Sequence, residues 1–176
     1  MIFSGWLDLP WWGDLLAALA PRAARAGVSS IYPLALSGDN DARVKRLSGK
    51  LDRVLVDAPC SGFGTLRRNP DLKWRHGPNA IAELAEKQLR ILGAAARLVK
   101  PGGRLVYATC SILHEENEAV AEALEAAHPG FEPLSCKELL AAQHIPLDTG
   151  RNLRLMPHCH GTDGFFAAAF QKKTLS

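Results

Sequence analysis

Short apolar runs alternate with longer runs rich in alanine and leucine along most of this chain. The segments LDRVLVD (Leu51 to Asp57) and RLVYA (Arg104 to Ala108) are typical of buried parallel strands, covered on both faces. Between them, Asn79 to Val99 repeats apolar residues at helical spacing, and Pro101-Gly102-Gly103 is expected to end that helix. This order of strand, helix and strand predicts a βαβ unit, and therefore an α/β fold with a mainly parallel sheet.

Weaker patterns extend this alternation toward both ends of the chain. The segment Met1 to Asp14 does not fit it: three tryptophans, a proline and a glycine leave its role unassigned. Further helices are predicted at Leu15 to Ala26, ended by Gly27, and at Glu115 to Ala127. Further strands are predicted at Ser30 to Leu36, Phe131 to Leu134, Leu153 to Met156 and Gly164 to Gln171.

Composition limits the partners and the cellular compartment that are expected for this chain. A chain of 176 residues fits one domain, and its formal net charge of +3 is compatible with a nucleic-acid partner without requiring one. Four irregularly spaced cysteines without a secretory signal pattern favour free thiols in the reducing cytoplasm. Because no apolar run approaches the roughly 20 residues needed to cross a bilayer, no membrane role is expected.

Two cysteines follow the two central strands closely. Cys60 lies three residues after Asp57, and Cys110 lies three residues after Tyr107. A right-handed helical crossover places successive parallel strands side by side, about 4.8 Å apart, and ligands gather beyond their carboxyl ends. The two thiols are therefore expected to share one pocket.

Several uses of such a pair remain open from the residues alone. A redox couple is disfavoured because the usual Cys-x-x-Cys turn is missing. The pair could bind a metal with Asp57, or one thiolate could attack a carbon while the other acts as a base. Both could also be small buried core residues. A separate metal site is disfavoured for lack of paired cysteines, and its candidates are Cys136, His144, His158, Cys159 and His160.

Longer strings carry a family resemblance. DAPCSGFGTLRRNPDLKW (Asp57 to Trp74), YATCS (Tyr107 to Ser111), the following EEN and the closing DGFF resemble the RsmB/Fmu (Sun/NOL1/NOP2) family of 5-methylcytosine RNA methyltransferases. The likeness covers roughly Leu15 to Lys172. It implies a Rossmann-like class I methyltransferase fold, S-adenosylmethionine as cofactor, no metal, and RNA, in particular 16S ribosomal RNA, as substrate.

The resemblance also implies roles for individual residues. Cys110 would be the nucleophile that attacks carbon 6 of cytosine, and Cys60 would be the base that removes the proton from carbon 5 after methyl transfer. Asp57 would hydrogen-bond the cytosine edge or the cofactor. Asp39 is the best match for a carboxylate near the cofactor's adenine, with Asp41 as its rival, because SGDND aligns ambiguously.

The loop after Cys60 is expected to contact RNA. Arg67, Arg68, Lys73 and Arg75 can neutralise phosphates, and Trp74 can stack on a base or anchor the loop. The alternative is a solvated basic loop around a core tryptophan. Gly62 and Gly64 are not followed by Gly-Lys-Ser/Thr, so they are expected to turn the backbone close to a ligand rather than to bind phosphate.

One part of the family pattern is missing. Before the region that matches Leu15, members of the family carry a glycine-rich cofactor turn and an acid after the second strand, neither of which occurs in Met1 to Asp14. Residues 15–176 are therefore expected to be a partial methyltransferase domain that lacks its first strands and its cofactor loop. The alternative function is a catalytically silent remnant that binds RNA.

Overall fold

The apolar runs form a six-stranded sheet in the computed structural model, which describes residues 2–4, 21–32 and 41–174. The sheet order is β1-β2-β3-β6-β4, with β5 also paired to β6. The first three strands run parallel, and β6 is antiparallel to β3, β4 and β5. The strands are β1 (Ile2–Ser4), β2 (Leu51–Asp57), β3 (Val99–Thr109), β4 (Phe131–Leu134), β5 (Leu153–Leu155) and β6 (Phe165–Lys172).

Helices connect and cover these strands. The longest connects β2 to β3 as the predicted crossover, lies against both strands and contacts the helix that precedes β4. Within the described residues, three short 3₁₀ helices span Phe63–Thr65, Pro70–Trp74 and His114–Glu116. The α-helices are α1 (21–25), α2 (Ala42–Lys45), α3 (Pro78–Ala96), α4 (Glu118–Ala127), α5 (Cys136–Ala141) and α6 (Pro157–His160).

The core lies between the sheet and the helices α3 and α4. Leu92 of α3 is fully buried, and Val54 and Val56 of β2 are nearly or fully so. Removing a side chain of this size from water contributes about 1.5–3 kcal/mol to stability. Leu55 and Val106, which alternate with the buried positions, are only partly buried. The second face of β2 and β3 is therefore covered less completely than the face that carries Val54 and Leu105.

The main elements match the prediction, and one boundary does not. Strand β2 has the predicted bounds, and α3 lies where its periodicity indicates. However, α3 ends at Ala96, and residues 101–103 lie inside β3 rather than at a helix end. Val99 is fully buried and pairs with Leu51, while Arg104 pairs with Arg53, so the intervening residues form a bulge. Because Val99 is buried against the sheet, β3 begins before the turn residues Pro101 and Gly102.

The amino-terminal part brings one correction. Ile2–Ser4 pairs in parallel with β2, so the expectation that residues 1–14 stand outside the alternation is wrong at these three residues. Residues 21–25 are helical, and Gly27, with a positive φ of 67°, follows them as predicted. Residues 30–32 form no strand; the rest of the strand predicted at 30–36 lies outside the described residues. No described helix is long and apolar enough to cross a membrane.

Candidate active site

The loops that carry Cys60 and Cys110 begin where neighbouring parallel strands end. Asp57 at the end of β2 pairs with Ala108 of β3, and the next backbone amide, that of Ala58, donates to the Ala108 carbonyl at 2.9 Å. The sheet ladder therefore continues into both loops and keeps them together. The Sγ atoms of Cys60 and Cys110 lie 3.4 Å apart, and both side chains are partly exposed.

The contact makes the two thiols electrostatically unequal. The hydrogen bond from the Cys60 thiol stabilises a thiolate on Cys110 and lowers the pKa of Cys110 to about 7, against the opposing effects of burial and of Asp57. The same hydrogen bond, together with burial, raises the pKa of Cys60 far above its usual value. At neutral pH a substantial fraction of Cys110 is therefore a thiolate, while Cys60 remains a thiol.

This inequality predicts a pH dependence of thiol alkylation. Since only the thiolate reacts, the rate at Cys110 should rise with pH up to about 7 and level off above it, while Cys60 stays slow. Iodoacetamide labelling at a series of pH values, resolved by mass spectrometry of the cysteine peptides, measures both rates. Equal rates at the two cysteines, with a common inflection near the ordinary thiol pKa of about 8.5, would refute the assignment.

The predicted cofactor carboxylates lie in different settings. Asp57 is exposed at the end of β2, although neighbouring atoms displace part of its water and raise its pKa. Asp41 is buried and caps α2: it accepts from the Arg43 amide at 2.9 Å and pairs with the Arg43 guanidinium at 2.6 Å. The Asp41 carboxylate therefore contributes to the start of α2. Asp39 lies outside the described residues.

Glu116 forms a buried polar centre that the sequence patterns did not indicate. Its side chain has no exposed surface, and it accepts hydrogen bonds from the backbone and hydroxyl of Ser61, from the hydroxyl of Ser111 and from the Gln88 amide. The Tyr107 hydroxyl lies 3.0 Å from Gln88 Oε1 and 2.5 Å from the Glu116 carbonyl oxygen. The available signals were the string EEN, which contains Glu116, and Gln88, a polar residue on the apolar face of a helix.

Two glycines let the loop after Cys60 approach the rest of the chain. The Gly64 amide donates to the Cys110 carbonyl at 2.8 Å, and the Gly164 amide donates to the Gly64 carbonyl at 2.8 Å. A Cβ atom on Gly64 would lie 2.2 Å from the Gly164 oxygen and 2.7 Å from the Cys110 oxygen. The close approach that Gly64 permits is therefore to the chain itself. Gly62 has a positive φ of 73°, which favours glycine at this turn.

Replacing Gly64 with alanine is expected to destabilise the protein by about 3 kcal/mol, because the new methyl group overlaps two backbone carbonyls and displaces the Cys110 loop. The matched control is Gly150→Ala, at a glycine where an added methyl group would meet no atom within 4 Å and where φ is not positive. Urea unfolding followed by circular dichroism gives both free energies of unfolding. Equal stability of the two variants would contradict the close approach.

The predicted RNA-contacting residues divide into two groups. The Arg68 guanidinium forms an ion pair with Asp163, and Arg67 lies 4.0 Å from the same carboxylate, although both arginines remain more than half exposed. Lys73 lies 4.9 Å from the centre of the Trp74 ring, and Trp74 is 82% exposed. The interpretation of Trp74 as a core tryptophan is therefore wrong, and its ring is open to solvent.

The alternative metal site is not assembled. Within residues 2–4, 21–32 and 41–174, no three His, Cys, Asp or Glu side chains come together in a way that could hold a metal ion. His158 and His160 do not share one face of a strand, because both lie in α6. All four cysteines are free thiols, of which Cys136 is buried and Cys159 exposed.

Known proteins share both the sequence and this arrangement of elements. The family model described as 16S rRNA methyltransferase RsmB/F matches residues 16–171. A probable ribosomal RNA small subunit methyltransferase B of Bacillus subtilis is 49% identical over 70% of this chain and 28% of its own length. Another probable methyltransferase B, from Synechocystis, is 40% identical over 91% of this chain and 36% of its own length. The chain thus spans about a third of these relatives.

Solved structures give the same result. A methyltransferase homologue from Pyrococcus horikoshii is 30% identical, with a TM-score of 0.71 over 91% of this chain and 50% of its own. NSun6 from the same organism, solved with SFG, is 27% identical, with a TM-score of 0.73 over 90% of this chain and 39% of its own. The fold is that of the Rossmann-like methyltransferases, as predicted. With a family model matched over 156 of 176 residues (171 − 16 + 1), the chain belongs to the 16S rRNA methyltransferase RsmB/F family.

Proposed function

We propose that this chain carries the chemistry of an RNA cytosine-5 methyltransferase, which transfers a methyl group from S-adenosylmethionine to carbon 5 of a cytosine in 16S ribosomal RNA. The observation that carries the proposal is the pair of unequal thiols 3.4 Å apart at the carboxyl ends of two parallel strands. Family membership supports the same assignment. Such an enzyme works in the cytoplasm, where free thiols persist.

Cys110 has the properties required of the nucleophile. Carbon 5 of cytosine is a poor nucleophile until a group adds to carbon 6. Addition of the Cys110 thiolate at carbon 6 shifts electron density onto carbon 5, which then takes the methyl group. A pKa of about 7 keeps a large fraction of Cys110 ionised at neutral pH without greatly weakening its nucleophilicity.

Cys60 is placed to complete the cycle. After methylation, carbon 5 carries both the methyl group and a proton, and the proton must leave before Cys110 is expelled. When Cys110 is bonded to carbon 6, its sulfur no longer carries the negative charge that raises the pKa of Cys60. Cys60 then loses its own proton to water more readily, and as a thiolate it takes the carbon 5 proton. The electrons of the C–H bond re-form the C5–C6 double bond and release the Cys110 thiolate.

Asp57 suits a contact with the cytosine edge or with the cofactor. Its carboxylate is exposed at the end of β2, and its charge raises the pKa of the Cys110 thiol. The carboxylate can accept hydrogen bonds from an amino group of the base or of the cofactor.

The described residues fit part of a cofactor site. Ligands of parallel sheets bind beyond the carboxyl ends of the strands, and Asp57 is an exposed polar group there. The second predicted contact, Asp39, lies outside the described residues. When bound, S-adenosylmethionine would supply the electrophilic methyl group, and Asp57 would orient it or the base.

The exposed loop at residues 67–74 suits RNA. Trp74 offers an open ring on which a base can stack, and Lys73 beside it adds a positive charge for a neighbouring phosphate. Arg67 and Arg68 are partly neutralised by Asp163, so they contribute less charge than their number indicates.

The proposal is tested with the whole chain, an unmodified 16S ribosomal RNA transcript and methyl-labelled S-adenosylmethionine. The expected product is 5-methylcytidine, identified by nucleoside mass spectrometry after digestion. Label in another nucleoside would contradict the cytosine-5 assignment. Calorimetry with the cofactor addresses the alternative: no cofactor binding, with retained RNA binding, would favour a catalytically silent RNA-binding remnant.

A further inference from the structure

The buried carboxylate of Glu116 accepts four hydrogen bonds, two at each oxygen. Oε1 accepts from the Ser61 backbone amide at 2.8 Å and from the Gln88 amide at 3.0 Å. Oε2 accepts from the hydroxyls of Ser61 and Ser111, each at 2.5 Å. Two lone pairs on each oxygen match these four donors, so the group is fully satisfied despite having no exposed surface.

Three of the four donors come from residues directly bonded to the two cysteines in the chain. Ser61 follows Cys60, and Ser111 follows Cys110. Both hydroxyls reach the same oxygen atom, so the two loops are joined one residue away from the thiols. The two hydroxyls also lie 3.3 Å from each other, and the Gly64 amide donates to the Cys110 carbonyl, so the carboxylate strengthens a junction between the two loops.

Residues outside the two cysteine loops also hold the Glu116 carboxylate in place. Gln88 of α3 donates to Glu116 and also to the Pro59 carbonyl at 2.9 Å. The Tyr107 hydroxyl, within hydrogen-bonding distance of both Gln88 and the Glu116 carbonyl, connects these residues to β3. A polar network that is satisfied at every member is rigid and costly to disturb. The described contacts of Glu116 all lie within this network, so it is suited to positioning rather than to touching substrate.

We propose that Glu116 is the positioning residue that sets the spacing of the Cys60 and Cys110 thiols by holding Ser61 and Ser111 on one carboxylate. The proposal rests on the proposed function for the roles of the two thiols. Its tests need neither RNA nor cofactor, so it can fail or succeed independently of methyl transfer.

The proposal is testable because a charge effect and a positioning effect of Glu116 would change the pKa of Cys110 in opposite directions. The groups that act on the ionisation of Cys110 are Cys60, Asp57 and Glu116. If Glu116 acted only through its charge, removing that charge would lower the pKa of Cys110, since a nearby negative charge raises it. If Glu116 holds the thiols together, its loss weakens the bond from Cys60, which is the largest cause of the lowered pKa, and the pKa of Cys110 rises.

The experiment compares Glu116→Gln with Glu115→Gln, the same substitution at the neighbouring exposed residue. Iodoacetamide labelling across pH, resolved by peptide, reports the inflection at Cys110. Glu116→Gln is expected to move it from about 7 toward the ordinary value of about 8.5, slowing alkylation at pH 7 by roughly tenfold. Glu115→Gln should match the wild type. An unchanged or lowered inflection in Glu116→Gln overturns the proposal.

A second variant, Ser111→Ala, keeps the proposal testable if Glu116→Gln does not fold. Ser111→Ala removes one donor and leaves the carboxylate with three, so it is expected to shift the Cys110 inflection upward by a smaller amount. Phenylarsine oxide, which bridges two close thiols, should bind the wild type and Glu115→Gln equally and Ser111→Ala at least about threefold more weakly. Circular dichroism identifies unfolded variants. If Glu116→Gln is unfolded, the proposal is tested on Ser111→Ala. A folded Ser111→Ala that binds phenylarsine oxide as tightly as the wild type, with an unchanged Cys110 inflection, would overturn the proposal.

Discussion

Replacing Cys110 with alanine is expected to abolish both methyl transfer and covalent attachment to RNA. Without a thiolate to add at carbon 6, carbon 5 stays too weak a nucleophile to take the methyl group. The loss should be about 10⁴-fold or more, because the covalent step that activates carbon 5 is removed. The product is measured as 5-methylcytidine, with Cys159→Ala, at an exposed cysteine outside the site, as the control.

Two results would contradict this prediction. Methyl transfer by Cys110→Ala within tenfold of the wild type would show that another group is the nucleophile. Loss of activity in Cys159→Ala to the same degree would show that the assay reports general thiol damage. The stability of Cys110→Ala is checked by urea unfolding, so that unfolding is not mistaken for lost chemistry.

Replacing Cys60 with alanine is expected to produce the opposite outcome, an accumulated protein–RNA complex. Cys110 can still add to carbon 6 and carbon 5 can still be methylated, but no base removes the carbon 5 proton, so release is blocked. The variant also lacks the hydrogen bond that lowers the pKa of Cys110, so adduct formation should require a higher pH than in the wild type.

Denaturing gel electrophoresis with labelled RNA measures the complex, in the presence of S-adenosylmethionine at pH 7 and pH 8.5. The expected pattern is a slowly migrating band for Cys60→Ala that is stronger at pH 8.5, and little or no band for the wild type. Cys60→Ala/Cys110→Ala is the matched control and should form none. Normal turnover by Cys60→Ala would refute its role as the base.

The central strands were predictable because their signal is local. Leu51–Asp57 is an apolar run followed by an acid, and burial of Val54 and Val56 is what such a run specifies. The end of α3 was not predictable in the same way. Pro101 and Gly102 are strong turn signals, but burial of Val99 against the sheet starts β3 earlier, and the turn residues become a bulge.

The candidate site was predictable only in part, for a related reason. Cys60 and Cys110 each follow one of two neighbouring strands within three residues, which indicated that the thiols would lie near each other, since the sheet ladder carries them there. The role of Glu116 depends on Ser61, which lies 55 residues away in the chain, and no periodicity reports such a contact. The start of α4 was displaced from Glu115 to Glu118 because a 3₁₀ turn first buries Glu116.

The most direct test of the two-thiol account is to locate the sulfur that bonds to RNA. The Cys60→Ala complex is digested with ribonuclease and trypsin, and the cross-linked peptide is sequenced by tandem mass spectrometry. The account predicts one methylated cytidine attached to Cys110. Attachment at Cys136 or Cys159, or a complex that forms equally in Cys60→Ala/Cys110→Ala, would contradict it.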